Sequence, residues 1–201
     1  MKLDPFYLIV DSAAWIERLV PLGVKLVQLR IKDQDEASLR REIRASKAVC
    51  GRHGCQLIVN DYWRLAIEED CDFVHLGQED LAEADVKAIR RAGLRLGLST
   101  HDDAELETAL AAEPDYVALG PIYPTVLKAM KWSPQGLDRI AAWKRRVGKL
   151  PLVAIGGLTV ARLAGVFGQG AESAAVVTDI TRNAHPEART LEWLAATAQW
   201  R

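Results

Sequence analysis

The chain is short of cysteine, of excess charge and of long apolar runs, and each shortage excludes something. It holds three cysteines, Cys50, Cys55 and Cys71. An odd number, with no histidine paired to them at metal-ligand spacing, argues against a disulfide framework and against a zinc site. Free thiols in a reducing cytoplasm are the expectation. The formal net charge is −1, which suggests neither a nucleic-acid surface nor an acidic tail. No apolar stretch is long enough to span a bilayer. Met1-Lys2-Leu3-Asp4-Pro5 lacks the apolar segment and small-residue cleavage site of a secretory leader. Also missing are a Gly-x-Ser-x-Gly elbow, a His-Glu-x-x-His pair and a P-loop lysine. No strong general base stands out.

What is present is a regular alternation. Short β-branched or aromatic runs fall at Phe6–Val10, Leu26–Arg30, Gln56–Asn60, Phe73–Gly77, Arg95–Ser99, Tyr116–Gly120, Leu152–Gly156 and Ala174–Thr178. Amphipathic stretches separate them: Ser12–Leu22, Glu36–His53, Asp85–Ala92, Ala104–Ala112, Gln135 to about Val147, Thr159–Phe167 and Pro186–Trp200. Eight βα units of roughly 25 residues predict one α/β domain over residues 1–201, a single (β/α)8 TIM barrel at the compact end of its size range. A doubly wound open sheet is the alternative. There is no linker or low-complexity tract. One connection is long, Pro121 to Pro134. A loop of that length in a compact barrel is usually functional.

Functional groups of such barrels gather at the C-terminal strand ends, and these ends are polar. In the second strand, side chains two apart share a face, so Gln28, Arg30 and Lys32 point together. An amide, a guanidinium and an ammonium make good anion-binding material. The third strand ends in Asn60-Asp61. The fourth carries His75 and runs into Gln78-Glu79-Asp80. The fifth ends in Ser99-Thr100-His101, the sixth leads to Thr125 and Lys128, the seventh ends in Gly156-Gly157 and the eighth in Thr178-Asp179. Each has a plainer reading. Asn60-Asp61 suits a turn, Asp80 suits a helix cap, and His75 is more ordinary as a satisfied core histidine, so it is left out of the site. Together, Arg30, Lys32 and Lys128 with a metal on Asp61 and Asp80 would balance a diphosphate of about −3 charge. Mg²⁺ suits two carboxylates because it keeps phosphate and water ligands. Gly157 and the eighth strand end match the phosphate cradle of barrels, which gives a second phosphate site on the same face.

Several blocks, in order and covering nearly the whole chain, resemble the thiamine-phosphate synthase family. They are Val27-Gln28-Leu29-Arg30-Ile31-Lys32-Asp33, Val59-Asn60-Asp61-Tyr62-Trp63-Arg64-Leu65-Ala66, Val74-His75-Leu76-Gly77-Gln78-Glu79-Asp80-Leu81, Gly97-Leu98-Ser99-Thr100-His101, Ala118 to Thr125, Ser133-Pro134-Gln135-Gly136-Leu137 and Val153-Ala154-Ile155-Gly156-Gly157. The resemblance implies a TIM-barrel transferase that joins hydroxymethylpyrimidine diphosphate to thiazole phosphate and releases diphosphate. The implied mechanism is dissociative and assisted by Mg²⁺. It implies catalytic roles for Arg30, Lys32, Ser99 and Lys128. The pyrimidine diphosphate would meet Gln28, Leu29, Arg30, Ile31, Lys32, Asn60, Ser99 and Lys128. The thiazole phosphate would meet Thr125, Val126, Leu127, Gly157, Val177 and Thr178. Asp61 and Asp80 would bind the metal. The partners implied are these two small phosphorylated molecules, with no nucleic acid and no membrane; a homo-oligomer is left open.

Two positions depart from the family pattern. The loop of the family usually reads Pro-Thr-x-Thr-Lys, and here Leu127 replaces the second Thr. The eighth strand carries Val177-Thr178-Asp179-Ile180 where Val-Ser-Ala-Ile is common. Asp179 either adds negative charge beside a phosphate site or points away and caps the last helix. Both departures fall on the thiazole half. Two other readings compete: a thiazole tautomerase paralogue that uses a histidine, and a non-catalytic binder of thiamine precursors.

Overall fold

A computed structural model describes residues 2–125 and 132–201. Eight parallel strands close into a barrel in chain order: β1 (Phe6–Val10), β2 (Leu26–Leu29), β3 (Gln56–Asn60), β4 (Phe73–Leu76), β5 (Arg95–Thr100), β6 (Tyr116–Leu119), β7 (Leu152–Ile155) and β8 (Ser173–Val176). The open-sheet alternative is excluded by β1, which pairs with β8 through Phe6↔Ala174, Tyr7↔Ala175 and Leu8↔Val176. Several strands end a residue or two from the expected bounds. The largest difference is β8, which stops at Val176, so Thr178 and Asp179 are not strand residues.

The helices outside the barrel are α1 (Ala13–Leu19), α2 (Glu36–His53), α3 (Trp63–Glu68), α4 (Gln78–Glu83), α5 (Val86–Arg91), α6 (Asp103–Ala111), α7 (Leu137–Val147), α8 (Leu163–Gly168), α9 (Thr178–Thr181) and α10 (Pro186–Thr197). Local chemistry sets their ends. Asp35 accepts the Ser38 amide at 2.9 Å to start α2, and Gly54 ends it at φ +58°, a left-handed position that glycine takes without strain. Asp102 starts α6 by accepting the Glu105 amide. The helices α3 and α4 span six residues each and α9 four, too few to show a helical period by themselves.

Strand alternation divides the core in two. Phe6, Leu8 and Val10 face outward with Val27, Leu29 and Val59 to meet the helices. Tyr7, Ile9, Leu26, Ile58, Phe73, Tyr116, Ala118, Val153 and Ala175 fill the barrel interior. Two buried tryptophans dock helices on the sheet. Trp143 of α7 donates to Thr100 Oγ1 at 2.9 Å, and Trp193 of α10 stacks on Phe6 with ring centroids 5.5 Å apart. Burying a ring of this size contributes on the order of 2–3 kcal/mol.

The interior is crowded at one point. A Cβ on Gly97 would lie 2.2 Å from the Tyr116 ring, which occupies the space a side chain would take. Gly97→Ala therefore displaces a fully buried ring, and overpacking of this kind costs about 1–3 kcal/mol. A urea titration of Gly97→Ala is expected to show that loss; a midpoint equal to wild type would contradict the packing described.

Candidate active site

The inward face of β2 carries Leu26 and Gln28, and Arg30 follows in the same phase, its amide bonded to the Val10 carbonyl at 2.8 Å. Gln28 is only 3% exposed. The same alternation turns Leu29 and Ile31 outward, where their side chains are buried in the layer between sheet and helices. Any contact of Leu29 and Ile31 with a bound molecule at the mouth would therefore be made through their backbone.

Lys32, Asp61 and Asp80 come together. Lys32 Nζ sits 2.6 Å from Asp61 Oδ2. Asp61 is the centre of a three-residue turn at φ +65°, with the Tyr62 amide donating to the Asn60 carbonyl at 2.8 Å. A left-handed aspartate in so tight a turn is strained, and such strain collects at functional sites. Asp80 lies in the first turn of α4, folded back over Gly77. Burial raises its carboxyl above the ordinary carboxylate range, and the charge of Asp61 and a hydrogen bond shared with it push the same way. Among the described residues no three His, Cys, Asp or Glu side chains form a metal set. The pair Asp61 and Asp80 fits a hard divalent cation that keeps phosphate and water as its other ligands.

Across the mouth, Gly156 and Gly157 take φ +99° and +64° and pass directly under the β6 exit. A Cβ on Gly157 would lie 2.5 Å from the Pro124 carbonyl oxygen, so only glycine lets the β7 turn approach the segment that carries Thr125. The Tyr123 amide donates to the Gly156 carbonyl at 3.0 Å, and the Arg162 guanidinium lies 4.2 Å from the Tyr123 ring centroid. Val177 precedes α9, and Thr178 is its first residue. The long connection is anchored at both ends: Gln135 and Gly136 amides bond back to the Pro121 and Ile122 carbonyls, and Trp132 stacks on His101 at 3.9 Å. The expectations for Val126, Leu127 and Lys128 lie outside the described residues.

Asp179 turns toward α10. Its carboxylate takes the Arg189 guanidinium at 2.8 and 3.1 Å and the Trp193 indole N–H at 2.7 Å. It does not cap α10; it grips two of that helix's side chains. The departure from the family pattern at this position is structural.

His75 is the satisfied interior histidine that the sequence suggests. It is 7% exposed and lies inside the barrel, with Nε2 2.8 Å from Ser99 Oγ and Nδ1 2.7 Å from Tyr116 Oη. Burial lowers its pKa to about 4, with Arg30 acting in the same direction and Asp61 against it, so the ring is neutral at pH 7. The alternation that places Gln28 inward also places His75 beside Phe73 on the inner face.

Groups of this kind at the C-terminal mouth of a closed parallel barrel define an enzyme of small phosphorylated molecules. A family model described as thiamine monophosphate synthase matches residues 6–180. The chain is 73% identical to a thiamine-phosphate synthase of Rhizobium etli, over all of this chain and 98% of that one. It is 49% identical to one of Salmonella dublin, over 96% of this chain and 88% of that one. A solved thiamine phosphate pyrophosphorylase from Pyrococcus furiosus superposes with a TM-score of 0.87 at 22% identity, over 98% of this chain and 96% of that one, a likeness of fold. The chain belongs to the thiamine monophosphate synthase family.

Asp179→Ala is expected to lower unfolding free energy by about 2–3 kcal/mol, because it strips a partly buried guanidinium and an indole of their acceptor. Chemical denaturation measures this, and a loss below about 0.5 kcal/mol, typical of a neutral surface change, would contradict the structural role.

Proposed function

We infer that the chain joins hydroxymethylpyrimidine diphosphate to thiazole phosphate in the cytoplasm, giving thiamine phosphate and diphosphate. The observation that supports this most directly is that two polar groups of different make-up share one mouth, each suited to an anion. One is built from Arg30, Lys32 and the Asp61–Asp80 pair, the other from the glycine turn after β7 and the backbone that opens α9. One receives a diphosphate and the other a monophosphate.

In this reading the bond between the pyrimidine methylene carbon and the diphosphate oxygen breaks first. Its electron pair leaves with diphosphate. The thiazole nitrogen lone pair then forms the new carbon–nitrogen bond, and no proton changes place. This accounts for a site without a strong base. Arg30, Lys32 and Lys128 draw charge off the departing diphosphate. A magnesium ion on Asp61 and Asp80 would add charge neutralisation at the same leaving group. Gln28, Asn60 and Ser99 orient the pyrimidine diphosphate, which shortens the search for a reactive geometry. Thr125 and the backbone of Gly157, Val177 and Thr178 hold the thiazole phosphate, beside Val126 and Leu127. The tautomerase reading needs a histidine free to carry protons. His75 has both ring nitrogens engaged, and His101 is bonded to Glu105 at 2.7 Å and stacked on Trp132.

A coupled diphosphate-release assay tests the reaction. Release is expected only with both substrates and Mg²⁺ present; a binder would release none. Asp80→Asn is expected to raise the Mg²⁺ needed for half-maximal rate by about tenfold or more, and an unchanged Mg²⁺ requirement would remove Asp80 from the metal site. Leu127 bears on the thiazole half alone. Restoring a hydroxyl by Leu127→Thr is expected to lower the thiazole-phosphate KM about tenfold, matching one hydrogen bond to a charged group, and to leave the pyrimidine KM alone. Equal thiazole KM values in the two proteins would sink the idea.

A further inference from the structure

Five polar side chains form an unbroken line through the interior of the barrel. Gln28 Nε2 donates to Tyr7 Oη at 2.8 Å, Tyr7 Oη lies 2.9 Å from Tyr116 Oη, Tyr116 Oη lies 2.7 Å from His75 Nδ1, and His75 Nε2 lies 2.8 Å from Ser99 Oγ. Gln28, Tyr7, Tyr116 and His75 are buried, and Ser99 alone is half-exposed, at the mouth. Ordinary core packing does not call for this. A buried polar group needs a partner, and a phenylalanine at either tyrosine would need none.

The line has a direction, which follows from counting protons. Both phenols are held protonated, since burial raises their pKa well above the ordinary value. Tyr7 accepts from Gln28, so its own proton goes to Tyr116. Tyr116, accepting there, donates to His75 Nδ1. The neutral ring then carries its one proton on Nε2 and donates it to Ser99 Oγ. Ser99 already accepts inside the barrel, so its O–H points outward.

We propose that Tyr7, Tyr116 and His75 form a one-way hydrogen-bond relay that holds Ser99 as a donor toward the substrate. His75 is then a positioning residue of the site. This rests on the reading that Ser99 meets the pyrimidine diphosphate, an acceptor-rich group that rewards a donor and repels a lone pair. The relay ties Gln28 on β2 to Ser99 on β5, so two opposite walls of the pyrimidine pocket are set by one interior network.

Tyr116→Phe cuts the relay at its centre and keeps the ring that fills the barrel. It is expected to lower kcat about tenfold, with the thiazole-phosphate KM unchanged. Ser99→Ala is expected to lose at least as much. The double variant is expected to be no slower than Ser99→Ala alone, because His75 and Tyr116 act only through that hydroxyl. Losses that multiply would overturn the relay. A second readout needs no variant and no turnover: nitrogen-15 NMR of the wild-type His75 ring is expected to show the neutral tautomer with its proton on Nε2. A proton on Nδ1 would reverse the direction and overturn the proposal. A wild-type protein that forms no thiamine phosphate would fail the reading of the reaction, while the tautomer would still decide the relay.

Discussion

The hydrogen bonding of β1 to β8 is the constraint on which the rest depends. Once the ring of strands closes, each strand has one inner and one outer face and no edge is left to pair elsewhere. The C-terminal ends are then brought to one rim. Closure is held from outside as well as by the ladder. Trp193 of α10 stacks on Phe6 of β1 and reaches Asp179 just beyond β8, so a single helix bridges the first and last strands. Asp179 thus belongs to the machinery of closure.

Much of this was legible before any coordinates. Eight apolar runs at even spacing imply eight strands, and the period of two places Gln28 and Arg30 inward. The same period, applied to Leu29 and Ile31, turns their side chains outward. Thr178 read as strand because a β-branched residue followed Val176 and Val177, yet four residues of helix begin there. Propensity is too weak to resolve so short an element. The partners of His75 were a different matter. A lone histidine in an apolar strand is ordinary core, and what makes this one unusual is Tyr116, forty-one positions on. Only the closed barrel sets the two rings face to face, 5.5 Å apart.

The mouth divides its labour by chemistry. On the β2–β4 side, charges of both signs crowd together: Lys32 against Asp61, and Asp61 against Asp80. On the β6–β8 side the Arg162 guanidinium lies on Tyr123 and donates to the Gly157 carbonyl, and the glycines there take backbone positions that a side chain could not share without collision. The first arrangement is suited to a highly charged group whose charge must be matched; the second is suited to a smaller anion that must be placed. Between them, the interior tyrosines carry no charge and connect the walls by hydrogen bonds alone.

The fit of Tyr116 over Gly97 also constrains how this chain can change over generations. Neither position is free by itself. A side chain at 97 meets a ring already in place, while loss of the ring at 116 opens a hole and breaks the line to Ser99. Substitution therefore has an order: 116 must shrink before 97 can grow, and the intermediate carries an unfilled barrel centre. A lineage that crosses that step keeps its fold and changes its pocket, so this pair of positions marks a place where one barrel enzyme can diverge into another.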